Sequence, residues 1–461
     1  MEALTLRQLL EAVGGTLVGD FDDLDATFVD VCTDSRNVTE GCLFLPLQGE
    51  RFDGHGFINN ALEDGAVGCL TARERDSYLP GKFYVKVRNT QRALRDLACY
   101  YRNLFDIPFI SVTGSVGKTT TKDMVAAVLS RSYNVLKTEG NFNNDIGLPL
   151  TILRLERSHQ VCVLEMGMDH AGEIDFLGEI VKPDVAIISN IGDAHIENLG
   201  SREAIFNAKC EIFPHLKKDG LAVLCGDDEM LITLKGQLKQ KAVFVGAAED
   251  LEYVASDLRS EDSALRCMVR TPNSQFDAKI PALGNHMIYP TLMAVAVAEY
   301  MGMTPDQIVQ GIRDFLPTKM RMNLIRCPGD IVILNDAYNA NPQSMRAAAA
   351  VLGSANDRRR VAVVGDMKEL GPNSQLFHEA VGGYFAEAGI ERLIAIGDLA
   401  RYMAKGAQTA GLDNACYYSS LEEARDALCR ELRPGVTILV KASRSMQFER
   451  IVDFLQENIS N

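Results

Sequence analysis

The 461 residues are too many for one hydrophobic core, so roughly two to four domains are expected. A formal net charge of -15 argues against sequence-independent nucleic-acid binding, which needs clustered Lys and Arg, and any anionic substrate must meet a local positive site. The eleven cysteines form no C-x-x-C pair, which argues against a zinc knuckle or thioredoxin motif and for reduced thiols.

The first segment, MEALTLRQLLEAVGG, carries acidic residues and no long apolar run, unlike a signal peptide. No stretch of about 18 apolar residues offers a membrane span. A cytoplasmic protein with no membrane and no nucleic-acid partner is expected. Residues 1–84 mix apolar runs of strand length with Gly- and Asp-containing turns, as in GCLFLPLQGERFDGHGFI. Residues 85–317 read as α/β. IPFISVTG is an apolar strand, and KTTTKDMVAAVLSRS after it has Met124, Val125, Val128 and Leu129 at helical spacing. VCVLEMG, DVAIISNIG and LAVLCGDD are further strands. Continuous apolar strands alternating with helices predict a mostly parallel sheet covered on both faces. Residues 318–461 repeat the pattern with DIVILNDAY, RVAVVGDM, RLIAIGD and VTILVKAS. Helices fall at LEEARDALCREL and at PQSMRAAAAVLGS, with Pro342 placed in the first turn of the latter. Ligands of open α/β sheets bind beyond the carboxyl ends of strands, where the polar motifs of this chain fall.

FISVTGSVGKTTTKD (Phe109–Asp123) has the strand–loop–helix context of a phosphate site. The usual G-x-x-x-x-G-K-[ST] pattern needs glycine where Val112 stands. The shorter loop runs through Gly114, Ser115, Val116, Gly117, Lys118, Thr119 and Thr120. Its glycines let backbone N–H groups approach phosphate oxygens at a helix N-terminus. Lys118 would neutralise β/γ-phosphate charge, and Thr119 would offer a hydroxyl to Mg2+.

TEGNFNNDIGLPLTIL, LEMGM, NIGDAHIENLGS, AKCEIF, LNDAYNANPQSM, GDMKELG and KASRSM follow in order. Together with TDSR (Thr33–Arg36) and the short T-G-x-x-G-K-T loop, this set resembles the Mur ligase family over nearly the whole chain. The resemblance implies three domains: a small α/β UDP-binding domain, a central P-loop ATPase domain and a C-terminal Rossmann-like domain. DAYNANPQSM and GDMKELG look like the member that joins D-Ala-D-Ala to UDP-N-acetylmuramoyl-tripeptide. ATP would phosphorylate the tripeptide carboxylate, and the dipeptide amine would displace phosphate. By the same resemblance two Mg2+ ions are held by Thr119, Glu165, His195 and Lys209, the last as a carbamate. A desolvated lysine near metal has a lowered pKa, and its neutral amine can take up CO2. Asn141, Asn143 and Asn144 would line the site where the acyl phosphate forms, with Asn144 counted among the catalytic residues. Arg321, Asp336 and Tyr338 would contact the nucleotide, Arg321 its phosphates and Asp336 a ribose hydroxyl. Ser35 and Arg36 would contact the UDP moiety. Lys441, Ser443 and Arg444 would face either the peptide carboxylate or the phosphates. A monomer is expected.

The family's H-N-x-x-N segment, which helps to hold adenine, here has His286 followed by Met287 and Pro290 in place of the asparagines. Altered adenine contacts are expected, with ATP still used. The family member that adds the third residue carries a D-N-P-R-type loop, and no D-N-P occurs here. A GTPase would carry N-K-x-D, which is also missing. A non-catalytic scaffold would have lost Lys118 or Glu165, and both remain.

Overall fold

The computed structural model describes residues 1–49, 52–261, 263–355 and 357–459; Glu50 and Arg51 of the GERFDGHGF segment lie outside them. Three principal sheets organise the chain, with a short two-stranded pairing of Leu4–Thr5 and Thr27–Phe28 beside the first. The first has five strands in the order Thr16–Val18, Phe83–Lys86, Gly68–Thr71, Cys42–Phe44, Asp30–Cys32. All its pairings are parallel except that of Thr16–Val18 with Phe83–Lys86. The strand Phe83–Lys86 belongs to this sheet and runs past residue 84.

The second sheet has nine strands. At its heart Phe109–Thr113 lies between Val161–Glu165 and Val185–Ile188, parallel to both. Every residue of these three strands is buried, which is why their sequences run apolar instead of alternating. The helices Lys118–Leu129 and Ile288–Tyr300 pack against each other over this sheet. Nearly every side chain of Ile288–Tyr300 is buried, as a helix apolar all round requires. Pro290 is its third residue, inside the first turn, where the missing N–H would have had no intrahelical partner. The far edge is an antiparallel meander, Tyr253–Glu261, Ala264–Arg270 and Gln275–Ile280, which the apolar-run reading of the sequence did not contain.

The third sheet orders its strands Asn323–Cys327, Ile331–Asn335, Val436–Lys441, Arg359–Gly365, Arg392–Ile396, Ala415–Tyr418. Only the first pairing is antiparallel. The helix Pro342–Gly353 starts at Pro342 behind an Asn341 cap, whose side chain accepts from Ser344 N. Among the described residues no helix is long and apolar enough to cross a membrane.

Candidate functional site

The carboxyl ends of the central strands and the facing edge of the third sheet enclose a cavity of about 1290 Å3. The phosphate-type loop, residues 115–120, forms one wall. Val112 is an interior strand residue in register with Glu165 and Ile187, so the loop starts only at Gly114. Gly114 has φ 144, and a Cβ there would lie 1.9 Å from Ser189 Oγ. Gly117, with φ 82, caps the helix Lys118–Leu129. The loop is pinned to the turn after Val185–Ile188: Val116 N donates to Asn190 Oδ1 at 2.9 Å, and Gly192 N donates to Ser115 Oγ at 2.9 Å. Lys118 Nζ donates to Gly114 O at 2.9 Å. Burial, eased by Glu165 and reinforced by Arg321, lowers its pKa below the usual 10.5.

Glu165 ends its strand at 3% exposure. Its Oε1 accepts from Asn143 Nδ2 at 2.8 Å, while its Oε2 is buried with no partner. An orphaned carboxylate oxygen at a cavity wall is the feature a hard cation would satisfy. Asn144 also lines the cavity, but its Oδ1 is committed to the helix Gly147–Leu153, accepting from Gly147 N at 2.9 Å. Asn141 is on the same wall. Lys209, in the last turn of the helix Arg202–Cys210, is 1% exposed. Burial and then the Lys118 charge push its pKa well below 10.5. Lys209 is not on the cavity surface, whereas Lys118 is. His195 lines the cavity at φ 62, its Nδ1 3.1 Å from Asp169 Oδ1 and 3.0 Å from Glu369 Oε2. Among the described residues no three His, Cys, Asp or Glu side chains group as metal ligands. The available donors include the Thr119 hydroxyl, the Glu165 carboxylate and the His195 imidazole, with the Asp169 carboxylate on the same cavity.

The opposite wall is C-terminal. Arg321 Nη2 donates to Thr119 Oγ1 at 2.9 Å, and its guanidinium carbon sits 4.1 Å from the Tyr338 ring centroid. Asp336 accepts from Met322 N at 3.1 Å and from Lys441 Nζ at 2.6 Å. Lys441 also donates to Asn339 O at 2.8 Å, so this buried ammonium organises the wall from within. Ser443 and Arg444 are not on the cavity; Ser443 Oγ accepts from Lys368 N and Arg444 pairs with Glu449. Met287 reaches the cavity beside Ala282, Leu283, Phe315 and Pro317, while Pro290 does not. His286 lines the same end, and burial lowers its pKa below 6.5, which favours the neutral ring.

Ser35 and Arg36 are not brought to this cavity. They occupy a short turn after Asp30–Cys32, where Arg36 is bidentate on Asp34 at 2.8 and 2.7 Å. Gln91, Arg92 and Arg95 do line the cavity, from the start of the helix Thr90–Arg102, as does Asp169. Nothing in their local sequence separates them from ordinary surface residues.

Residues 112–298 match the family model of the Mur ligase middle domain, residues 320–444 that of the Mur ligase glutamate ligase domain, and residues 27–102 that of the Mur ligase family catalytic domain. The UDP-N-acetylmuramoyl-tripeptide--D-alanyl-D-alanine ligase of Bacillus subtilis is 37% identical over 98% of this chain and 98% of its own length. The chain belongs to the Mur ligase family. The Mur ligase of the same name from Escherichia coli is 36% identical, with 99% of both chains covered. A crystal structure of MurF from Acinetobacter baumannii superposes with a TM-score of 0.91 at 32% identity, covering 99% of each chain. MurF from Thermotoga maritima, solved in complex with ADP, gives 0.85 at 28% identity over 95% of this chain and 99% of that one. As a Mur ligase the chain is an ATP-dependent ligase with the expected three-part α/β architecture.

Proposed function

We propose that this Mur ligase joins D-Ala-D-Ala to UDP-N-acetylmuramoyl-tripeptide, forming UDP-N-acetylmuramoyl-pentapeptide, ADP and phosphate through an acyl phosphate. The observation that carries the reading is end-to-end similarity to relatives of that name, joined to a cavity with a phosphate-type loop on one wall and an orphaned carboxylate oxygen beside it. The first step brings an anionic carboxylate to an anionic triphosphate. Lys118, on the cavity wall, would offset charge on the transferring phosphoryl group, and the first N–H groups of the helix Lys118–Leu129 would receive its oxygens. Arg321, already on Thr119, reaches the same phosphates from the C-terminal side. Asn141, Asn143 and Asn144 line the path without adding charge, and the amide nitrogen of Asn144 is the end left to face the phosphoryl group.

Two Mg2+ ions would supply charge neutralisation and in-line orientation of the phosphoryl group when bound. Thr119, Glu165 and His195 would hold them, with Lys209 as a carbamate adding a further carboxylate. A neutral Lys209 amine adds to CO2 and loses a proton, giving a carbamate. Lys209→Ala should lower activity by about 10²-fold or more, with partial recovery on adding a small carboxylate such as acetate. Full activity in the unsupplemented variant would remove Lys209 from the metal site.

Asp336 and Tyr338 would hold the ribose side of ATP, and Met287 with its apolar neighbours the base. Ser35 and Arg36 would bind the UDP moiety on the N-terminal domain. The test is purified protein with ATP, Mg2+ and UDP-N-acetylmuramoyl-tripeptide, with and without D-Ala-D-Ala. Phosphate release that requires both substrates is expected. Release with a free diamino acid and the dipeptide precursor would assign the preceding ligation instead.

A further inference from the structure

The GDMKELG loop of the C-terminal domain reaches across to the central domain through an ionisable contact, Glu369 on His195. Surface ion pairs of this kind stabilise little, and the Glu369 side chain is 59% exposed, so the contact alone would be unremarkable. The loop around it is not. The buried Asp366 carboxylate accepts from Leu399 N at 2.9 Å and Ala400 N at 2.8 Å. The buried ring of His378 accepts from Met367 N at 3.0 Å, and Ser443 Oγ accepts from Lys368 N at 2.9 Å. Three consecutive residues are thus fixed to the C-terminal core immediately before Glu369. Glu369 itself has φ 64, and the His195 it meets has φ 62. Two non-glycine residues in the left-handed region facing each other across a domain boundary are strained positions that the surroundings must enforce. Behind Glu369, a Cβ on Gly371 would lie 3.4 Å from Glu197 Cα, so the loop backbone packs directly on the turn that carries His195.

The contact also selects an atom. Carboxylate oxygens of Glu369 and Asp169 both lie within 3.1 Å of His195 Nδ1, an arrangement that favours a proton on that nitrogen. A proton held on Nδ1 would leave Nε2 as the nitrogen with a lone pair for a cation. Metal-ligating histidines are oriented in this way by a carboxylate on the other ring nitrogen. Asp169 belongs to the central domain, so only the Glu369 contact depends on where the C-terminal domain stands.

We propose that Glu369 is a positioning residue that orients His195 for metal binding, so that the C-terminal domain completes the metal site when it closes on the central domain. The inference rests on the reading of His195 as a metal ligand. The test uses the full chain with Mn2+ as the probe and a non-hydrolysable ATP analogue, counting free Mn2+ by electron paramagnetic resonance. The unsubstituted protein should titrate with two bound Mn2+. Glu369→Gln should weaken one site about tenfold and leave the other unchanged, and kcat should fall while KM for ATP stays nearly constant. The titration is repeated in an Asp169→Asn background, so that the remaining carboxylate does not mask the effect. Wild-type titrations for Glu369→Gln in both backgrounds, with His195→Ala losing one site, would overturn the inference alone. Two undisturbed sites in His195→Ala would overturn the metal-ligand reading of His195 and the inference with it.

Discussion

Lys209 carries its charge at a disadvantage in the fold, because burial and the Lys118 ammonium both favour the neutral amine. In the unfolded chain the same side chain returns to its ordinary pKa of 10.5. Between the depressed folded value and 10.5 the unfolded state therefore binds the extra proton, and stability rises with pH across that window. Below the window both states are protonated and the fold must hold the buried charge. In CO2-free buffer without nucleotide or metal, Lys209→Met should be the more stable protein at the acid end of the window. Its advantage should shrink by up to about 1.4 kcal/mol per pH unit as pH rises. Chemical denaturation at several pH values measures this, and an advantage independent of pH would mean that Lys209 is not desolvated. At the other end of the cavity Met287 stands among Ala282, Leu283, Phe315 and Pro317. A pocket so lined holds a base mainly by packing, with His286 as its polar neighbour, and the extra polar groups of guanine would lose water there for few partners. ATP should exceed GTP by at least about tenfold in kcat/KM, which parallel steady-state assays would measure.

The loop that follows Phe109–Thr113 is built around the absence of a side chain at Gly114. Gly114→Ala would put a methyl group against Ser189 Oγ in a backbone conformation that alanine avoids. A loss of about 2–5 kcal/mol in unfolding free energy is expected, with weakened nucleotide binding. Ser189→Ala removes the clashing oxygen but also the 2.7 Å hydrogen bond to Val116 O. The double variant should therefore recover part of the loss, and a double-mutant cycle by denaturant titration would find the two changes non-additive. Strict additivity would mean that the loop yields elsewhere. This element was legible in the sequence because its strand is buried on both faces and its glycines and lysine are contiguous. The same holds for the parallel strands of the C-terminal sheet. The meander Tyr253–Ile280 was not legible, because its half-buried strands lack the long apolar run that marked the others. The partners of His195 were hidden for a different reason. Asp169 and Glu369 lie in separate loops, 26 and 174 positions away, and only the fold brings them to one ring nitrogen. Asn144 was found as part of a polar cluster, but the commitment of its Oδ1 to Gly147 N depends on where the helix Gly147–Leu153 begins.

Among the polar contacts that tie the C-terminal part of the molecule to the central one are Arg321 to Thr119, Thr318 to Asp123, and Glu369 to His195. The connecting segment concentrates strain, since Met320 and Met322 adopt φ 59 and 54 on either side of Arg321. Such a segment is held by what its middle residue touches. Arg321 touches the phosphate-type loop through Thr119 and stacks on Tyr338, so its guanidinium joins the nucleotide wall of one domain to the catalytic wall of the other. If closure assembles the site, removing this one side chain should slow turnover more than it weakens substrate binding. Arg321→Ala is expected to lower kcat by about 10²-fold or more with a much smaller change in KM for ATP. Arg321→Lys should rescue little, because it keeps the charge and loses the planar fork that reaches Thr119 while stacking. Small-angle scattering supplies the independent readout: nucleotide and UDP-substrate should compact the unsubstituted protein and leave Arg321→Ala expanded. Normal compaction with a lowered kcat would restrict Arg321 to the phosphates and remove it from closure. Thr318→Val separates the two anchors of the segment, since Thr318 Oγ1 donates to Asp123 Oδ2 at 2.6 Å and not to the phosphate-type loop. That variant should alter compaction while changing the chemical step far less than Arg321→Ala, because Asp123 keeps Lys122 and Lys137 as charge partners and the cavity loses one neutral hydroxyl, not a charge.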